Sequence, residues 1–327
     1  MRLRHLGYAC QNVHLGTKSR TVRLANLTTE KVIPVIAQNL DDIEAALRWN
    51  VERGISFFRI TSDLIPFATL EQFPFSWEEA FKWKFDDIRR LVKAHDLRVS
   101  SHPGQYTVLN SNKEKVVAES VKELDHQARV LRLIDPKQGT MTLHVGGAYG
   151  DKPASMDRFA AHLDRLSDEA RSILTIENDD RTFTLNEVVG LAERTGLPVI
   201  VDLFHHRLNY DGQGEGAHWR DGLHDLLERA MATWGSRVPK LHLSSGRPGG
   251  TTAHADFIEM DDLQDMLDVM APVGEPDAPF DLMLEAKRKE EAVLEAQAYL
   301  DTGAVPDRAG PMLEPVIELE TAEEAEG

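Results

Sequence analysis

Five histidines and three carboxylates follow short apolar runs in this chain: His102 in SSHPGQY, His144 in TLHVGG, Glu177 in TIENDD, Asp202 and His205 in VDLFHH, His242 in KLHLSS and Glu285 in LMLEAK, with His254 a little further on. Imidazoles and carboxylates without a thiol among them are a donor set for borderline or hard divalent ions such as Mn²⁺ or Zn²⁺. Two such ions about 3.5–4 Å apart can stabilise both the attacking and the leaving oxygen of a phosphoryl displacement. A carboxylate bridging them suits that spacing, and Glu177, in the middle of the series, is the expected bridge. Two or three ions per chain are expected. The other eight histidines, including His126 and His206, fall mostly in predicted helices or loops and read as background, with His206 the nearest to an exception.

Elements of a particular kind must gather these residues. Eight β-rich runs recur along the chain: Leu3–Tyr8, Ser56–Ile60, Leu97–Ser101, Thr140–His144, Ile173–Ile176, Pro198–Asp202, Lys240–Leu243 and Phe280–Leu284. Amphipathic segments alternate with them, for example Val117, Val121, Leu124, Ala128 and Leu131, whose spacings of three and four define one helical face. RTGLPVIVD reads as a helix ending at Gly196 and a strand opening at Pro198. Eight alternations without a long break predict an α/β fold of the (β/α)8 TIM-barrel type, whose chemistry sits at the C-terminal ends of the strands. The donor residues stand at or just beyond those ends. Lys240 lies two residues before His242, so both side chains point into the barrel. It is expected to be a neutral or carbamylated ligand, to reach a phosphate, or to pair with a barrel carboxylate.

The chain has 327 residues and a formal charge of −17, a balance that argues against nucleic acid unless bound metals reverse the local sign. Part of the acid lies in LEPVIELETAEEAEG. The predicted organisation is therefore one barrel over 1–305 and an acidic, disordered tail over 306–327. A single cysteine, Cys10, fits a reducing compartment. The first residues lack an apolar signal core, and no run approaches the ~18 apolar residues of a membrane span. A cytoplasmic chain without membrane contact or an obligatory protein partner is expected.

The segments LGYACQNVHLG, RTVRLANLT, FFRITSDLIPFA, SSHPGQY, IENDDR, VDLFHHRLN and KLHLSS resemble the ultraviolet damage endonuclease family, related to the endonuclease IV group, over roughly residues 1 to 300. The resemblance implies a TIM barrel that binds damaged double-stranded DNA and incises it immediately 5′ to photoproducts, leaving a 3′-hydroxyl, with divalent metals, commonly manganese. Carried over by residue, it implies the ligands His102, His144, Glu177, Asp202, His205, His242, His254 and Glu285, with Lys240 as the modified lysine. Glu177, Lys240, His242 and Glu285 are the expected catalytic group. Where relatives carry a histidine after PFA, this chain has Leu70, so one metal is expected to be held more weakly.

The resemblance also gives SSHPGQY a purpose beyond a turn. Gln105 and Tyr106, on a Pro-Gly turn beside a ligand, are expected to fill the gap where damaged nucleotides leave the stack. Tyr8 and Asn12 are expected to line a damaged-base pocket. Lys18, Arg20 and Arg23 are expected to meet phosphates, and Gly147 and Tyr149 in GGAYGDK to let the backbone approach one. Two other readings compete: a sugar isomerase gathering similar ligands on the same barrel, and a damage-binding protein with structural metals.

Overall fold

The computed structural model describes residues 1–213, 216–250, 252–305 and 308. Apart from Arg308, the predicted tail lies outside them. The strands are β1 (Arg2–Ala9), β2 (Phe57–Ile60), β3 (Arg98–Ser101), β4 (Thr140–His144), β5 (Leu174–Glu177), β6 (Val199–Ile200), β7 (Lys240–Leu243) and β8 (Pro279–Leu284). The helices around them are α1 (Thr29–Glu52), α2 (Trp77–Ala80), α3 (Lys82–Ala94), α4 (Glu114–Ile134), α5 (Lys152–His162) and α6 (Asp168–Ile173). They continue with α7 (Leu185–Thr195), α8 (Leu203–Leu208), α9 (Leu223–Ala232), α10 (Met260–Met270) and α11 (Glu290–Thr302).

The strands form one parallel sheet in the order β6-β5-β4-β3-β2-β1-β8-β7. The remaining seam closes through a parallel bridge between Asp202 and His242, with the His242 N–H donating to the Val201 carbonyl at 3.0 Å. The predicted eight-stranded barrel is therefore the fold. Its outer layer is an apolar shell in which strand residues such as Phe58, Val99, Leu143, Ile176 and Leu241 pack with Leu40, Leu124, Val188, Leu227 and Leu263 of the helices. The alternate residues of these strands, such as Ser100, Thr142, Thr175 and Lys240, are buried polar groups.

Local signals set the element ends. Thr184 accepts from the Glu187 N–H, the Glu187 carboxylate accepts from the Thr184 N–H, and Gly196, left-handed at φ 75°, ends α7. Strand β6 is shorter than predicted. Beyond it Asp202, bridged to His242, also serves as the N-cap of α8, its carboxylate accepting from the His205 N–H at 2.8 Å. No described helix is long and apolar enough to cross a membrane.

Candidate active site

Glu177 closes β5 at the centre of the barrel mouth and is 1% exposed. One carboxylate oxygen lies 3.2 Å from His102 Nε2 and 3.8 Å from His144 Nε2. The other lies 2.8 Å from His242 Nδ1 and 3.8 Å from His205 Nδ1. Glu285, at the end of β8, approaches His242 Nδ1 at 3.3 Å and His254 Nδ1 at 3.8 Å. All eight residues expected as ligands thus meet in one cluster. Within it, donor atoms of His102, His144 and Glu177, and again of Glu177, Asp202 and His242, lie within 4.8 Å of one another. Glu177 belongs to both triplets, the arrangement expected of a bridge.

The elements that hold these side chains explain their placement. Asn178 supplies what the two-residue β6 lacks: its side-chain carbonyl accepts from the Asp202 N–H at 2.9 Å, and its amide donates to the Asp202 carbonyl at 3.0 Å. Asp202 and His205 are then fixed as the first turn of α8. The Asn178 backbone carbonyl lies 3.1 Å from His205 Nδ1, and the Pro103 carbonyl 3.2 Å from His102 Nδ1. Carbonyls at one ring nitrogen select the tautomer whose other nitrogen is a free donor.

Three observations fit this cluster to divalent cations. Asp202 Oδ2, His242 Nε2 and His144 Nδ1 are buried without a hydrogen-bond partner among the described residues, although buried polar atoms are ordinarily satisfied. The carboxylates of Glu177, Asp202 and Glu285 outnumber the one guanidinium among them, Arg59, which pairs with Glu285. The titration behaviour agrees. Burial alone would lower His205, but Asp202, Glu177 and Glu285 outweigh it and push this imidazole up to about 9. Burial likewise opposes ionisation of Glu177, yet His242, His144 and His102 hold its carboxyl well below the usual carboxylate range. A pocket that retains a proton on a histidine with three carboxylates attracts positive charge.

Lys240 lies one layer below. It is fully buried, and its ammonium donates to Thr142 Oγ1 at 2.6 Å rather than pairing with a carboxylate. Burial, then the Arg98 and Arg59 cations, depress its pKa far below that of a free lysine.

Gln105 and Tyr106 stand exposed on the turn after Pro103, Tyr106 at 84%. Gln105 and its neighbours form a wall shared by two cavities. One, of about 380 Å³, is lined by Cys10, Arg59, His102, His144 and Glu285. The other, of about 830 Å³, runs between Asp63, Leu70, Glu119 and Glu123. Leu70 thus faces the larger cavity and adds nothing to the Glu177 cluster.

Several expected roles do not match their positions. Tyr8 and Asn12 are fully buried: the Tyr8 hydroxyl donates to Asn50 Oδ1 at 2.7 Å and accepts from Asn12 Nδ2 at 2.9 Å. Side chains alternate along a strand, and Tyr8 leaves β1 toward α1 and not toward the mouth. Arg20 is ion-paired with Asp42, which also accepts from the Lys18 backbone N–H, so its charge is already matched, while Lys18 and Arg23 are exposed. The glycines after β4 serve the loop itself. Gly146 has φ 107°, and a Cβ there would lie 2.3 Å from Asn110 Oδ1, while Gly147 abuts the Tyr149 ring and its carbonyl accepts from Asn110 at 2.7 Å. Tyr149 is half-exposed with Arg158 stacked over it. His206 is structural, its Nε2 bonding the Trp219 carbonyl at 2.7 Å. Sequence reasoning assigned no role to Arg59 or Asn178, although Arg59 lies one residue before the end of β2 and Asn178 follows Glu177.

The sequence profile of the UV-endonuclease UvdE family matches residues 4–306. This chain belongs to that family of UV endonucleases. It is 34% identical over 244 residues to the UV DNA damage endonuclease of Clostridium perfringens, covering 73% of this chain and 58% of that protein. It is 33% identical to the UV DNA damage endonuclease of Bacillus pumilus, covering 81% of each. Among solved structures, SacUVDE superposes with a TM-score of 0.81 at 33% identity, covering 91% of this chain and 99% of that one. A D-psicose 3-epimerase from Clostridium cellulolyticum shares the fold at a TM-score of 0.51 and 13% identity, covering 86% and 84%. That likeness concerns the barrel alone.

Proposed function

We propose that this UvdE-family chain nicks duplex DNA immediately 5′ to ultraviolet photoproducts, including pyrimidine dimers and 6-4 photoproducts, and at abasic sites, leaving a 3′-hydroxyl. The observation that carries this reading is the sharing of Glu177 by two donor triplets in a mouth with unmatched buried acceptors. His102, His144, Glu177, Asp202, His205, His242, His254 and Glu285 would hold two divalent ions, manganese being the expected metal. Such ions, when bound, supply an activated water and neutralise charge developing on the phosphate oxygens.

The protein's own groups do the remaining work. Glu177 and Asp202 are fixed before substrate arrives, the first by its histidines and the second by Asn178 and the α8 N-terminus. Arg59 keeps Glu285 ionised and turned toward His242. Lys240 sits below the cluster, where burial and the Arg98 and Arg59 cations favour its uncharged form. An uncharged lysine is also the form that adds CO2, and a carbamate there would supply one more anionic donor. Gln105 and Tyr106 would occupy the gap at the lesion, so that recognition reads the ease of distortion and not a base edge. The isomerase reading retains only a shared barrel, and a purely binding role leaves the unmatched donors without a purpose.

The test is incubation with Mn²⁺ of a 5′-labelled duplex carrying one pyrimidine dimer, beside an undamaged duplex and an EDTA control. The expected result is one metal-dependent nick at the phosphodiester 5′ to the dimer. Folded, metal-loaded protein that leaves this strand whole would overturn the reading. Gln105→Ala combined with Tyr106→Ala should reduce incision of the dimer more than metal loading.

A further inference from the structure

The guanidinium at the mouth is only partly used by its pairing with Glu285. Arg59 on β2 and Ala9 on β1 are register partners, and β1 separates β2 from β8. Two residues back on the strands that carry Arg59 and Glu285, Phe57 and Met283 pack with Ala9 in a small apolar cluster separate from the outer shell. The Arg59 side chain crosses the small Ala9 and donates through Nη1 to Glu285. The apolar cluster offers its other nitrogens no acceptor. Nε is buried without a partner among the described residues, and Nη2 donates to none of them.

An unmatched nitrogen alone would not single out Arg59. Arg98, on the barrel floor, also has a buried Nε without a described partner. Its Nη1, however, serves both Asp281 and the Val238 carbonyl, and the Phe57 and Trp234 rings stand 5.5 Å from its guanidinium. Arg59 instead lines the cavity of about 380 Å³ together with His102, His144 and Glu285, and it is the one lysine or arginine among the described residues that line it. The larger cavity beyond Gln105 holds Lys122 but also Asp63, Glu71, Glu119 and Glu123, which repel a phosphate. A guanidinium is a rigid planar fork that matches phosphate oxygens. Unlike an ammonium, it can hold one anion with one arm and receive a second with the other. Such donors, left over beside the ligand cluster, suit an anion that arrives with the substrate.

We propose that Arg59 is a phosphate-binding residue of this enzyme, one arm of its guanidinium holding Glu285 and the other donating to a non-bridging oxygen of a DNA phosphodiester. This rests on the nuclease reading above. Glu177, the expected bridge, does not line the cavity that Arg59 lines, so the phosphate concerned is a neighbour of the scissile one. The shared guanidinium ties the position of the DNA strand to that of Glu285, which registers the strand against the ligand cluster.

The test compares wild type, Arg59→Lys and Arg59→Gln on a dimer-containing duplex, with manganese content and thermal stability measured in parallel. Lysine keeps a cation for Glu285 but has no second arm. Arg59→Lys should therefore bind as much manganese as wild type while its kcat/KM falls about 10- to 100-fold, the range for losing one charge-assisted hydrogen bond. Arg59→Gln should fall at least as far. Neutral methylphosphonates are then placed singly at the phosphates flanking the scissile one. Wild type should lose activity at one of them, and Arg59→Gln should lose nothing further there, because the contact is already gone. Should Arg59→Gln melt well below wild type, Arg59→Lys takes its place in the same cycle. Wild-type rates in Arg59→Lys, or manganese lost in step with its activity, would overturn the proposal. So would a wild type indifferent to both methylphosphonates, or losses as large in the variant as in wild type. Wild type that leaves the dimer strand whole would instead overturn the nuclease reading, and this contact with it.

Discussion

The floor and the mouth of the barrel are both lined by buried charge, and they treat it in opposite ways. On the floor, Asp281 has both oxygens matched: Arg4 donates through Nε and Nη2 at 2.8 and 2.6 Å, and Arg98 through Nη1 at 2.8 Å. Arg98 also donates to the Val238 carbonyl at 3.1 Å. At the mouth, Glu177, Asp202 and Glu285 face Arg59 and a ring of imidazoles, and Asp202 Oδ2 has no hydrogen-bond partner among the described residues. A matched network fills space and fixes register. An unmatched one stores a demand for positive charge, which an incoming cation can meet. The two layers lie on the same strands, Lys240 and His242 being two residues apart on β7.

Exchanging the central anion should have the largest effect. Glu177→Gln keeps the shape but removes the charge shared by both donor triplets. Neighbours of metal ligands already contribute about 10- to 100-fold when removed, so nicking should fall by more than about 100-fold. Circular dichroism should stay that of the wild type, and bound manganese, measured by elemental analysis, should drop. Near-normal nicking would remove Glu177 from the bridging position. The mouth would then be no more than a second plug.

The reciprocal change is made on the floor. Asp281→Asn leaves Arg98 buried against a neutral partner, and breaking a buried pair on one side costs about 3–5 kcal/mol. Denaturant unfolding should show that loss, while the folded fraction should nick at close to the wild-type rate. A variant of unchanged stability that no longer nicks would show that the floor takes part in the chemistry and would erase the contrast.

How much of this was legible in the sequence depended on whether a signal was local. Strands β4 (TMTLH) and β7 (KLHL) have their predicted limits, because apolar residues alternate in them with polar ones and polar loops bound them. The convergence of the eight residues was legible because a barrel converts "end of a strand" into "mouth" without further information. Side-chain direction was less so. Tyr8 belongs to the helix-facing set of β1, and only the register of that strand decides this. Arg20 was read as a free cation because Asp42, its partner, lies on α1 and 22 residues away. Asn178 acts by joining β5 to β6, a long-range need that appears only once β6 proves to be two residues long.

An unmatched buried nitrogen does not by itself make a site, and His126 supplies the control. On α4, it is 2% exposed, with neither ring nitrogen partnered among the described residues, and its ring meets Trp77 edge-on at 5.2 Å. No carboxylate of the described residues pairs with it; burial, then the Arg129 cation, push its imidazole down to about 3. The sign of the consequence follows. The folded chain keeps His126 neutral while the unfolded chain protonates it near pH 6.5, so stability is lost as the pH falls below that value. The loss should reach about 2 kcal/mol at pH 5, at 1.36 kcal/mol per pH unit. His126→Phe keeps the ring against Trp77 and removes the titration, so its unfolding free energy should decline less between pH 7 and pH 5 by that amount. Equal slopes for wild type and variant would mean that this ring finds a partner in solution. In that case unmatched atoms would be a weaker guide to the mouth as well, and the convergence of carboxylates would have to carry the metal assignment alone.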